Sequence, residues 1–275
     1  MPVEMFTDGL EPRDKEATIW RFMNLVRFKD LMSTGELYFC RADLFDDESE
    51  GLPPEDYIHV LGLNPLDIRD RQKLNHDLGS IAQFREGFFI NCWHLFTEEA
   101  AKMWQEYGKD RDGVAVVSRY SLLRSALDSC EGRPHLGQVR YGSKHLTGWN
   151  IQRFITTKRE KYAHEREVRA ALWIPDEFAG INRHFDENNM PHPPPLTEPP
   201  DRVPKGQRRK VDLNVLLTGI VVSPWAADTT LSNVERIIRE GGGSIPVRWS
   251  ELTRFKQFLP DYQSPSYRLD EKCHT

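Results

Sequence analysis

Runs of strand-forming residues recur along the chain, separated by polar turns and amphipathic stretches. Ala17-Thr18-Ile19-Trp20-Arg21-Phe22-Met23 predicts a first strand, residues 25–33 a short helix stopped near Gly35, and Glu36-Leu37-Tyr38-Phe39-Cys40 a second strand. The run Gly87-Phe88-Phe89-Ile90-Asn91-Cys92-Trp93 is almost continuously apolar and predicts a buried strand. Met103, Trp104 and Tyr107 mark a helix over 98–107, followed by a strand over 113–118 and an amphipathic helix over 120–130. A short strand over 137–141, a charged helix over 151–162, a core strand over 219–224, a helix over 231–240 and a terminal strand over 247–249 complete the pattern. This order predicts an α+β fold with mixed, mostly antiparallel central sheets and flanking helices.

Composition fits one elaborated domain. The chain has 275 residues, 39% of them hydrophobic and 29% charged. The domain is expected over 17–255, with a flexible polar arm at 1–16, a tail at 256–275 and a Pro-rich insert at 186–210. A net charge of −5 excludes a strong non-specific nucleic-acid binder. The widely spaced cysteines 40, 92, 130 and 273 suggest neither a disulfide framework nor a zinc site. No signal peptide and no run of ~20 apolar residues is visible, so a cytoplasmic protein without membrane partners is expected.

Candidate chemistry concentrates in His164-Glu165-Arg166-Glu167-Val168-Arg169-Ala170-Ala171-Leu172-Trp173. Read as a strand, it puts Glu165, Glu167 and Arg169 on one face, with neighbours roughly 7 Å apart. Such charges are costly to bury unless they pair or do chemistry, so a charge ladder and a catalytic site are both open. Arg21, in the first strand, could fork onto a diphosphate or pair with an acid such as Glu165. Trp93 reads as core, whereas His94 could wall a base or nicotinamide pocket. Trp104 reads as core, and Tyr107 is a candidate for lining the cleft. The acidic residues Asp43, Asp46, Asp47, Glu48 and Glu50 fit no EF-hand spacing, and Asp46 and Asp47 read as a capped turn. No zinc or Walker motif is present, and no metal is expected. The basic run Lys205–Lys210 reads as a solvated loop with a minor prospect of contacting nucleic acid or an acidic partner.

Several segments together resemble a bacterial domain-of-unknown-function family numbered 2971. They are Leu37-Tyr38-Phe39-Cys40 with the Phe45-Asp46-Asp47 turn, Met103-Trp104-Gln105-Glu106-Tyr107, Val139-Arg140-Tyr141, Glu165-Arg166-Glu167-Val168-Arg169 and Gly219-Ile220-Val221-Val222. More distantly, the opening order of strand with Arg21, helix, Gly35 and strand resembles the start of the ADP-ribosyltransferase fold. That resemblance implies that Arg21 holds NAD and that the E-x-E of Glu165 and Glu167 acts in catalysis. Where that fold offers Ser-Thr-Ser or Tyr on an intermediate strand, this chain reads Asn91-Cys92-Trp93-His94. The expectation is therefore an NAD-dependent ADP-ribosyltransferase. Glu167 would be the main carboxylate near the cation-like ribose and Glu165 its assistant, with Arg21, His94 and Tyr107 on the NAD side. The acceptor would be a protein or nucleic acid, and a toxin or antiphage-defence role follows by analogy only. Two other readings stay open: a non-catalytic nucleotide- or partner-binding module, and a metal-dependent nuclease built on Asp43, Asp46, Asp47 and Glu167.

Overall fold

The computed structural model describes residues 4–5, 10–54, 57, 64, 66–108, 112–132, 134–146, 150–174 and 204–253. In chain order these form β1 (Glu4–Met5), β2 (Thr18–Met23), α1 (Leu25–Thr34), β3 (Glu36–Arg41), α2 (Ile68–Arg85), β4 (Phe88–Leu95) and α3 (Ala101–Tyr107). Next come β5 (Val114–Arg119), α4 (Tyr120–Leu127), β6 (His135–Gln138), β7 (Arg140–Tyr141), α5 (Ile151–Ile155) and β8 (Thr157–Lys158). A 3-10 helix over Glu160–Glu165 leads into β9 (Glu167–Trp173), then β10 (Gly206–Lys210), α6 (Leu213–Leu216), β11 (Gly219–Val222), α7 (Thr230–Glu240) and β12 (Val247–Trp249).

Ten strands form one sheet in the order β1-β6-β9-β4-β2-β5-β11-β12, with β3 also on β4 and β10 on β3. The β1–β6 and β11–β12 pairs are parallel and the other pairs of this sheet antiparallel. The architecture is thus the expected mixed α and β one, with a mainly antiparallel central sheet. β4 and β9 are buried on both faces, which explains their nearly unbroken apolar runs. On one face, Ile19, Phe89, Trp93, Val168, Ala170 and Leu172 pack with side chains of α1, α4 and α7. On the other, Phe88, Ile90, Cys92 and Ala171 meet Ile155 of α5, and Trp20 and Phe22 meet Met103 and Trp104 of α3.

Local chemistry sets the boundaries. Asn24 caps α1 by accepting the Arg27 N–H at 2.9 Å. Gly35 ends the helix at φ 63°, the left-handed conformation that favours glycine, and its N–H returns to the Leu31 carbonyl. The helix expected over 151–162 stops at Ile155, because the Thr156 and Thr157 hydroxyls turn back onto the Gln152 and Arg153 carbonyls. The strand expected over 137–141 divides, since β6 pairs with β9 whereas β7 pairs with β8.

Three further expectations need correction. The arm at 1–16 is not wholly loose: Glu4–Met5 pairs with β6, and Leu10 is buried in the core. The basic run at 205–210 is no loop. Its Gly206–Lys210 portion is an antiparallel edge strand in register with β3 from Gly206↔Cys40 to Lys210↔Glu36, which covers the backbone edge of β3. Cys40 is disulfide-bonded where the wide cysteine spacing suggested no disulfide framework, while Cys92 and Cys130 are buried free thiols. Most of the Pro-rich insert and the tail at 256–275 lie outside the described residues.

Candidate functional site

The strands that bear Glu167, His94 and Arg21 lie side by side at the centre of the sheet, as β9, β4 and β2. Glu167 stands opposite His94, and Arg169 opposite Cys92, so these four share one face. Glu165 joins them by a different route from the one its spacing suggests. It ends the 3-10 helix and does not belong to the strand. Arg166 then takes φ 45°, the sole non-glycine positive φ among the described residues, and this left-handed step turns Glu165 and Glu167 toward a common partner.

That partner is Lys158. Its Nζ lies 2.7 Å from Glu165 Oε2, 3.0 Å from Glu167 Oε2 and 3.9 Å from Glu50 Oε2. Arg169 donates from Nε and Nη2 to the two oxygens of Glu167 at 2.6 and 3.1 Å, and from Nη1 to Glu50 Oε1 at 2.6 Å and to the Ile155 carbonyl. Tyr107 donates to Glu165 Oε1 at 2.7 Å, and the Glu167 N–H donates to the Tyr141 hydroxyl at 2.8 Å. Glu165 and Glu167 are each 1% exposed and Arg169 is 0% exposed, so this is a desolvated ionic network and not a surface ladder.

Burial pushes the Glu167 carboxyl up, but Arg169 and Lys158 outweigh it and hold the group well below the usual carboxylate range. Burial pulls Lys158 and Arg169 down, and the facing carboxylates push both well above their ordinary values. His94 is drawn down to about 4, chiefly by burial, and is therefore neutral. Its Nδ1 lies 3.0 Å from the Glu165 carbonyl, an acceptor, so Nδ1 carries the proton. Burial and Glu167 raise the Cys92 thiol well above its ordinary value, so it is no nucleophile.

Of the five residues singled out by sequence, Glu165, Glu167, His94 and Tyr107 come together; the His94 and Tyr107 rings are 5.2 Å apart. Arg21 does not join them. Trp20 stands opposite His94, and Arg21 stands opposite Val116 of the main core, so Arg21 leaves the sheet on the other face from Glu167. It makes no ion pair with Glu165 either. Its Nη1 reaches the Cys92 carbonyl at 3.3 Å, where β4 changes partner from β2 to β3, and burial lowers its pKa to about 10.

The nuclease constellation does not assemble. Asp43 pairs with Arg41 at 2.6 Å, and Asp47 accepts from Arg159 and from the Ser49 N–H, the latter a side-chain-capped turn. The acidic-loop residue that does reach Glu167's network is Glu50. Sequence reasoning missed Glu50, Lys158 and Tyr141. Only the polar character of their segments hinted at them, since their roles depend on contacts across as many as 119 positions. Two cavities are described, about 320 Å³ beside Trp20, Val117 and Arg248 and about 310 Å³ beside Val26 and Arg236, and neither is lined by Glu165 or Glu167.

The fold and site thus define a mainly antiparallel α+β protein with a buried, carboxylate-rich ionic cluster on its central strands. No protein-family model and no curated protein matches the chain, so membership of the family numbered 2971 gains no support. Among solved structures, Thermus sp. 2.9 DarT in complex with carba-NAD+ matches at 10% identity and a TM-score of 0.36, covering 86% of this chain and 97% of that one. At that level it assigns no residue of this chain a role. No helix among the described residues is long and apolar enough to cross a membrane.

Proposed function

We propose that the chain is a transferase of the ADP-ribosyltransferase class that takes NAD as substrate and passes ADP-ribose to a macromolecular acceptor. The observation that carries this reading is a charge imbalance. Three buried carboxylates, Glu50, Glu165 and Glu167, face two buried cations, Lys158 and Arg169, which leaves one formal negative charge in a dry site. Departure of nicotinamide builds positive charge on the ribose, and a fixed carboxylate stabilises that charge most where water is excluded.

Within this reading the reactive carboxylate moves from Glu167 to Glu165. Both oxygens of Glu167 are held by Arg169, and Lys158 adds a third contact. Among the described residues Glu165 keeps only Tyr107 and Lys158 on its oxygens, and its neighbours His164 and Glu106 reach the surface. Lys161 and Arg166 are exposed on either side of Glu165 and supply positive charge for a diphosphate. Incubation with labelled NAD tests the reading: wild type consumes NAD, and Glu165→Gln loses at least ~100-fold of that rate with its fold intact.

A second reading is favoured by the saturation of Glu167, whose oxygens are taken by Arg169 and Lys158: a non-catalytic module whose buried ions fix the register of β9. It expects no NAD binding or consumption by wild type, and Glu165→Gln and Glu167→Gln that lower stability only.

A further inference from the structure

We propose that Glu106, His164 and Glu165 form a binding site for a divalent transition-metal cation, contrary to the expectation of none from sequence. The two readings share Glu165, but cation binding does not depend on the transferase activity.

His164 carries the argument. Its Nδ1 lies 3.1 Å from the Lys161 carbonyl and its Nε2 lies 2.9 Å from Glu106 Oε2. Carbonyl and carboxylate oxygens only accept, so both ring nitrogens face acceptors. A neutral imidazole has one N–H and satisfies one of them. With that proton on Nδ1, directed at a backbone carbonyl, the ring has the arrangement usual for a metal-ligating histidine. Nε2 then aims a lone pair at the Glu106 carboxylate, a position in which one cation can be shared by the two groups.

The third ligand is already placed. One ligand atom from each of Glu106, His164 and Glu165 lies within 4.8 Å of the others. Ligands on one ion at bonds of ~2.1 Å stand at most ~4.2 Å apart, so the three atoms need at most a small movement to close onto an ion. Glu106 and His164 have the freedom to do so, with side chains 37% and 25% exposed, while Glu165 is held by Lys158. Lys102 is the competing cation, 3.8 Å from Glu106 Oε1 on the surface. The excess carboxylate of the cluster behind Glu165 biases the local field toward a cation. One imidazole and two carboxylates suit Zn2+ or Mn2+.

The test uses the full chain, stripped with a chelator and titrated with ZnCl2 and MnCl2 in a calorimeter. The expected result is saturable binding of one equivalent, weakened at least ~tenfold in His164→Gln and in Glu106→Gln, both checked for an intact fold by circular dichroism. CoCl2 is expected to give visible absorption bands with wild type that His164→Gln lacks. Absence of saturable binding by wild type, or binding in both variants as tight as in wild type, overturns the proposal. NAD consumption is measured without added metal, so either proposal can fail while the other stands.

Discussion

Arg169 grips both oxygens of Glu167, its neighbour two places back on the same face of β9, with hydrogen bonds of 2.6 and 3.1 Å that no water reaches. Buried pairs of this kind contribute modestly to net stability yet are costly to break, because the surviving charge has no solvent. Glu167→Ala is expected to cost about 3–5 kcal/mol in urea unfolding. The double change Glu167→Ala with Arg169→Met is expected to cost clearly less than the sum of the two single changes. Additive single costs would show that the pair is not coupled.

Arg166 holds a left-handed backbone at φ 45° without being glycine. Its guanidinium also lies 5.7 Å from the Phe96 ring, so any replacement removes a cation–π contact whether or not it relieves the strain. Comparing two replacements separates the terms. Arg166→Gly and Arg166→Ala both lose the contact, but only alanine keeps a Cβ that the left-handed region penalises. The glycine variant is expected to be the more stable by about 1 kcal/mol in chemical denaturation. Equal stabilities would mean that the turn relaxes and stores no strain.

Most of the fold could be read from apolar runs, because β2, β4, β9 and β11 are buried strands whose composition leaves few alternatives. The site was legible only where chemistry and pattern coincide. Glu165 and Glu167 stand out as charges heading an apolar run. Lys158 and Glu50 do not, because what buries them is a contact with residues elsewhere in the chain, Glu50 meeting Arg169 across 119 positions. Arg21 shows a different limit. Strand alternation fixes that Trp20 and Arg21 face opposite ways, but which one faces Glu167 depends on the Trp20↔His94 register. A register is a property of two strands, and a one-residue slip would have exchanged them.

Arg21 supplies a prediction from that geometry. It lies on the face away from Glu165, pairs with no acid among the described residues and donates to the Cys92 carbonyl. Losing one such hydrogen bond costs about 1 kcal/mol, and removal of a desolvated guanidinium offsets part of it. Arg21→Met is expected to shift the urea midpoint only slightly and to leave any NAD consumption per folded molecule unchanged. A selective loss of NAD binding with unchanged stability would return Arg21 to the substrate site.

Glu99 offers the clearest pH signature outside the cluster. Its carboxylate accepts from Arg248 Nη1 at 2.6 Å, the Glu251 N–H at 3.0 Å, Trp104 Nε1 at 3.2 Å and the Ser250 hydroxyl, tying α3 to the segment that follows β12. Burial raises its pKa, but the donors from Glu251, Ser250 and Arg248 prevail and the net shift is downward. A carboxyl whose folded pKa lies below its unfolded one binds fewer protons when folded, so its contribution is complete above the ordinary value of 4.5 and is lost as pH falls through the depressed folded value. Glu99→Gln keeps the shape but weakens the charged contacts, at about 1–3 kcal/mol near neutral pH. Urea midpoints from pH 7 down to about 3 should therefore converge for wild type and variant at the acid end. A gap that stays constant over that range would assign the cost to packing and not to the Glu99 charge.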